Sequence, residues 1–216
     1  PPSTLRRLNV AQYFSIHPQN PQPRLVAKAV EILHAGGVIV YPTDSLYALG
    51  CHIGDKQALE RMRWIRGIDE RHHLTLMCRD LSEIGSFARV DNATFRLLKA
   101  CTPGSYTFVL QASRELPRRI LHANRKTIGV RVPDHPVALA LLHRLGEPLL
   151  STTLILPGDD EPLNDPGVIR DRLEKSVELV IDAGSCGSAP TTVVDLTGDA
   201  PQVVRAGKGP VAPFLH

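Results

Sequence analysis

Residues 37–50 read GVIVYPTDSLYALG. The β-branched run Val38-Ile39-Val40 stops at Tyr41-Pro42, and three small polar side chains follow at once: Thr43, Asp44 and Ser45. Such a run reads as a buried strand, which places two hydroxyls and a carboxylate at its carboxyl end. In open α/β sheets that end is where ligands bind. The plainer alternative is an ordinary turn, because Pro, Asp and Ser all favour turns. Local clusters of positive charge, Arg6-Arg7, Arg118-Arg119 and Arg125-Lys126, suit an anionic partner such as a nucleotide or RNA, although a solvated surface would look the same.

The elements that must position these groups alternate along the chain. Residues 1–19 read as irregular, with room for one short edge strand, and 20–216 as one domain. Asn20-Pro21 reads as a helix entry, and Leu25, Val26, Ala29, Val30, Ile32 and Leu33 recur at helical spacing up to Gly36-Gly37. A strand over 38–41 follows, then a helix over 55–66 with Asp55 as its N-cap. Further helices are expected at 81–87, 91–101, 117–122, 136–145 and 165–175, and strands at 74–78, 106–111, 127–132, 149–156, 179–182, 192–196 and 202–205. This pattern predicts one mixed α/β sheet flanked by helices.

Composition narrows the class. The 216 residues can bury a sizeable core, aliphatic content is high, and the formal net charge is only +3. No apolar run reaches membrane-spanning length and no signal peptide is visible, so a cytoplasmic protein is expected. Cys51, Cys78, Cys101 and Cys186 are scattered without a C-x-x-C unit, and the nine histidines show no ligand spacing, so no metal site is expected. The phosphate loop G-x-x-x-x-G-K-[ST], the dinucleotide fingerprint G-x-G-x-x-G and the G-x-S-x-G nucleophile elbow are all absent.

Four segments, YPTDSLYALG (41–50), TPGSYTFVL (102–110), TIGVRVPDHP (127–136) and TTVVDL with VVRAG (191–196 and 203–207), together resemble the YrdC/YciO family in order and spacing. TLMCRDL (75–81) and LLSTTLILPG (149–158) are similar to its YciO branch. The resemblance implies an open twisted sheet with a large basic cavity, as in YrdC/RibB-like folds. It also implies a chemistry: L-threonine, bicarbonate and ATP, with Mg²⁺, joined into threonylcarbamoyl-adenylate for modification of adenosine 37 of tRNA. Carried over residue by residue, it makes Thr43, Ser45, Arg131, Thr191 and Thr192 candidates for substrate contact, with Asp44 orienting them. Arg63, Arg66, Ser151, Thr153 and Arg205 become candidates for nucleotide contact. Binding of double-stranded RNA or tRNA is the further implication, with Arg118, Arg119, Arg125 and Lys126 as its candidates.

The chain departs from the family pattern where the nucleotide is gripped. The K-x-R element reads Arg66-Gly67-Ile68, the S-x-N element reads Thr153-Leu154-Ile155, and a histidine of the amino-acid pocket becomes Cys78. Two readings stay open: a synthase-like enzyme with weak or altered activity, and a non-catalytic protein that binds RNA, tRNA or the ribosome through the same basic residues.

Overall fold

The computed structural model describes residues 10–215. Ten strands form a single mixed sheet. In chain order they are β1 (Gln12–Ser15), β2 (Ile39–Tyr41), β3 (Ala48–His52), β4 (Thr75–Met77), β5 (Tyr106–Gln111), β6 (Thr127–Arg131), β7 (Leu149–Thr153), β8 (Leu179–Asp182), β9 (Thr192–Asp195) and β10 (Gln202–Arg205). Their order across the sheet is β1-β8-β2-β3-β7-β4-β6-β5-β9-β10. Six helices flank it: α1 (Pro23–His34), α2 (Lys56–Arg66), α3 (Leu81–Phe87), α4 (Asn92–Cys101), α5 (Pro136–Leu145) and α6 (Pro166–Leu173).

Helix boundaries follow local chemistry. The Asp55 side chain accepts from the Ala58 amide at 2.8 Å and starts α2, and Gly67, at φ +64°, closes it in the left-handed region where a Cβ is strained. Asp80, Asp91 and Asp165 cap α3, α4 and α6 in the same way. In α1, Val26, Ala29, Val30 and Leu33 form the buried stripe.

The helices divide between the two faces of the sheet. One core gathers α2, α3, α4 and α6 against Val40, Leu49, Leu76, Phe108, Leu110, Ile128, Val130, Leu150 and Val194. The other is smaller: α1 and α5 pack on Ile39, Tyr41, Ala48, Met77, Leu149, Leu179 and Ile181.

One strand departs from the sequence expectation: no element is expected over Ala48–His52, yet β3 pairs antiparallel with both β2 and β7. Gln12–Ser15 is a short edge strand of the kind for which residues 1–19 leave room, paired in parallel with β8. The expected helix at 117–122 is a single 3-10 turn, Arg118–Ile120. Arg6-Arg7 lies outside the described residues.

Candidate functional site

Strand alternation decides which side chains meet. In β6, Ile128 and Val130 belong to the larger core, so Thr127, Gly129 and Arg131 point to the opposite face. The helices α1 and α5 cover that face only over its β8-β2-β3-β7-β4 part, since among the described residues the smaller core takes nothing from β5, β6 or β9. The uncovered part is lined by hydroxyls. A Cβ built on Gly129 would lie 3.2 Å from both the Thr75 hydroxyl and the Thr107 methyl, so the glycine keeps the floor low between them.

The loop after β2 folds over one end of this floor. The Thr43 hydroxyl donates to the Leu46 carbonyl at 2.6 Å and accepts from the Ser45 and Leu46 amides at 3.1 Å each. It also lies 3.1 Å from the Ser45 hydroxyl. This tight local turn aims Asp44 at Arg131, and the two form an ion pair with both side chains buried. The same guanidinium nitrogen approaches the Thr43 hydroxyl at 3.4 Å. Ser105 donates to the other Asp44 oxygen at 2.6 Å, and Lys208 donates to the Asp44 carbonyl. Burial alone would raise the Asp44 carboxyl, but the Arg131 charge and the hydrogen bonds from Ser105 and Arg131 outweigh it and hold the carboxyl below its usual range. Arg131 is only 7 % exposed, and its Nε has no hydrogen-bond partner. Cys186 stands beside this group, and burial pushes its thiol up to about 11.

Thr191 belongs to the same floor. Its hydroxyl is 2.8 Å from that of Thr107, and its carbonyl accepts from Arg205 at 2.9 and 3.2 Å. Thr192, read from the sequence as a substrate contact, is placed elsewhere. It points into the protein, fully buried, donates to the Gly209 carbonyl and accepts from the Gly207 amide. Its work is to hold the 207–214 segment, which also takes the Tyr106 hydroxyl on the Pro210 carbonyl at 2.9 Å and packs Phe214 on Tyr106 and Phe108.

The residues read as nucleotide contacts do not converge on one point. Ser151 is 2 % exposed and spends its hydroxyl on Tyr41 (2.7 Å) and the Leu49 carbonyl (2.8 Å); no ligand reaches it without moving both. Arg66 donates to the Ile155 carbonyl and lies 3.4 Å from Thr152. Thr152 alternates with Ser151 and shares the face of Leu150, so Arg66 sits over the α2 side of β7, opposite the side of Ser151. Arg63 donates to the Arg119 carbonyl at 2.8 Å, and Arg119 to that of Gly54 at 2.9 Å. Thr153 is half-buried at the end of β7. Past α2, an open cleft of about 590 Å³ is lined by Gly67, Ile68, Asp69, Arg71 and His72. Arg118, which opens the 3-10 turn, and Arg125 and Lys126 after it are exposed. Sequence reading missed Ser105 and Lys208. The Gly104-Ser105 step inside TPGSYTFVL was the only available signal for the first.

Comparison with known proteins places this geometry in context. The family model described as Telomere recombination, for Sua5, YciO and YrdC proteins, matches residues 31–207. The uncharacterized protein YciO of Escherichia coli K12 is 59 % identical over 206 residues, 95 % of this chain and 100 % of that protein. Its crystal structure superposes with a TM-score of 0.92 over the same shares. A threonylcarbamoyl-AMP synthase of Chromobacterium violaceum is 34 % identical over 182 residues, covering 77 % of this chain and 94 % of the synthase. The crystal structure of P. abyssi Sua5 complexed with L-threonine has the same fold, with a TM-score of 0.84 at 24 % identity over 91 % of this chain and 58 % of that one. A ten-stranded mixed sheet, a Thr-Asp-Ser loop closing on a buried arginine, and these matches lead to one conclusion: the chain belongs to the Sua5/YciO/YrdC family, with the threonylcarbamoyl-AMP synthases among its distant homologues.

Proposed function

We propose that the chain binds a small amino acid of the L-threonine class on the uncovered polar face, and that its threonylcarbamoyl-AMP synthase chemistry is weak or altered. The observation that carries this reading is Arg131: a buried guanidinium whose Nε has no partner while its neighbour nitrogen is held by Asp44. An unspent buried donor costs free energy until an acceptor arrives. A ligand carboxylate supplies that acceptor, and the hydroxyls of Ser45 and Thr191 suit a ligand amine and hydroxyl, while Thr43, whose hydroxyl is spent on Leu46 and Ser45, shapes the loop that presents them.

In the synthase reaction the carbamate of threonine attacks the α-phosphorus of ATP and pyrophosphate leaves, so catalysis is chiefly positioning and charge neutralisation. The amino-acid side is equipped for this. The nucleotide side fits poorly: Ile68 and Ile155 offer no donors, Ser151 is committed to Tyr41, and Arg66 is partly spent on the Ile155 carbonyl. Asp44 is taken by Arg131 and Ser105, so Mg²⁺ would come with the phosphates rather than be held by it. Each missing charge-assisted hydrogen bond costs about 1.5–3 kcal/mol, which is roughly one to two decades in rate where it acts in the transition state.

Calorimetric titration with L-threonine, together with threonine-dependent pyrophosphate release from ATP and bicarbonate, tests the reading. Threonine binding that disappears in Arg131→Met, with slow pyrophosphate release, is the expected result. No threonine binding by the wild type would sink it.

The second reading, RNA or tRNA binding, is favoured by the exposed Arg118, Arg125 and Lys126. Three phosphate contacts there would make duplex-RNA affinity fall by roughly one to two decades between about 50 and 200 mM salt. A flat salt response would remove this reading.

A further inference from the structure

Away from the polar face, three side chains from distant parts of the chain converge at the surface. His34 is the last residue of α1, just before Gly36 at φ +83° turns the chain away. His52 ends β3. Glu147 follows Gly146, whose φ of +74° closes α5 and points the next residue back toward β3. Their ligand atoms, one from each residue, all lie within 4.8 Å of one another. The two imidazole rings are 5.5 Å apart at their centres, and His52 Nε2 is in direct contact with Glu147.

We propose that His34, His52 and Glu147 form a surface site for a borderline divalent cation of the zinc class. Two imidazoles and one carboxylate are a donor set that suits zinc, cobalt, nickel or copper and disfavours magnesium and calcium, which want oxygen alone. A tetrahedral zinc with bonds of about 2.0–2.1 Å keeps its ligand atoms about 3.3 Å apart, so the cluster needs rotamer adjustments rather than backbone movement. His34 is exposed and free to swing. Three protein ligands leave the fourth position open to water or an outside donor.

One competing contact exists. The Gly54 amide donates to His52 Nδ1 at 3.0 Å, which puts the ring proton on Nε2, facing Glu147. A cation bound at Nε2 replaces that proton. The proton then resides on Nδ1, and the Gly54 contact is given up. The site is therefore reversible and of moderate affinity rather than a permanent structural centre.

The test uses the untagged full chain and Co²⁺ or Zn²⁺ as the probe. Expected are one calorimetric site per chain for Zn²⁺ and a visible Co²⁺ spectrum typical of four-coordinate nitrogen and oxygen ligation. Affinity should weaken at least about tenfold in each of His34→Ala, His52→Ala and Glu147→Gln, since loss of even an outer-shell partner of a metal ligand costs about that much. His34→Ala removes an exposed side chain and keeps the test alive should His52→Ala perturb β3. The other close histidine pair, His73 and His122 with ring centres 4.6 Å apart, stays intact in every variant. No binding by the wild type, or binding that survives all three substitutions, overturns the proposal.

Discussion

Arg131, at the end of β6, and Asp44, in the loop after β2, close a buried ion pair across 87 positions of sequence. This one contact ties the Thr-Asp-Ser loop to the floor of the polar face. It also divides the arginine's donors: one nitrogen is held by Asp44, while the buried Nε has no hydrogen-bond partner.

Removing one partner leaves the other charge buried and alone. Asp44→Ala should cost about 3–5 kcal/mol of stability, read as a lower denaturant midpoint. The double change Asp44→Asn with Arg131→Met should cost clearly less, since no lone charge remains. Equal costs for the two variants would show that the pair is not what holds the loop.

The same pair sets an acid limit. The folded Asp44 carboxyl is held below its ordinary value of 3.8, so the stability it contributes is complete above that value and is lost as pH falls through the folded one. Wild type should lose its stability advantage over Asp44→Asn only below about pH 4. An advantage that faded between pH 5 and 7 would contradict this.

Glu83 should behave in the opposite way. Its carboxyl is nearly buried and accepts the Arg79 amide at 3.0 Å. Burial raises it above the usual 4.5 despite that hydrogen bond and the Arg79 charge. The protonated form is thus the better tolerated one, and stability declines as pH rises through the folded value. Glu83→Gln, which cannot ionise, should gain on wild type as pH rises above the ordinary 4.5 in paired melting curves; a constant difference would count against it.

Phe214 anchors the 207–214 segment on Tyr106 and Phe108. Phe214→Ala should cost about 3–5 kcal/mol and loosen Lys208 from the Asp44 carbonyl, so threonine binding should weaken along with stability. Full-strength binding by the folded variant would mean that Lys208 is a bystander.

On the nucleotide side, Ile68→Arg combined with Ile155→Asn restores two donors. Threonine-dependent pyrophosphate release should rise at least about tenfold, the worth of one recovered charge-assisted bond. An unchanged rate would mean that these positions do not face the phosphates.

Much of this was legible in the sequence. The bounds of β5 and α5 could be read directly, because Pro103-Gly104 precedes an apolar run that ends at Gln111 and Pro136 and Gly146 punctuate a helical stripe. β3 was not legible: Ala48-Leu-Gly-Cys-His52 has small residues and no alternation, and it becomes a strand only because β2 and β7 pair with it on both sides. Thr43, Ser45 and Arg131 stood out as residue types in context. Ser105 and Lys208 did not, because they meet Asp44 from 61 and 164 positions away, a proximity that only the folded sheet creates. The intramolecular partners of Ser151 and Thr192 were not legible either, because a hydroxyl's type does not reveal that Tyr41 or Gly209 already engages it.

The polar face is stitched from the β2 loop, β5, β6 and the start of β9, none of which can supply it alone. A binding event there would register far beyond the contact residues. Detaching any one of these elements dismantles the whole face, so a molecule bound there would slow backbone hydrogen exchange across all four as one cooperative block. Under the proposed function, that face would work as a gauge of global integrity: the fraction of chains able to take up threonine would equal the fraction whose sheet is closed from β2 to β9.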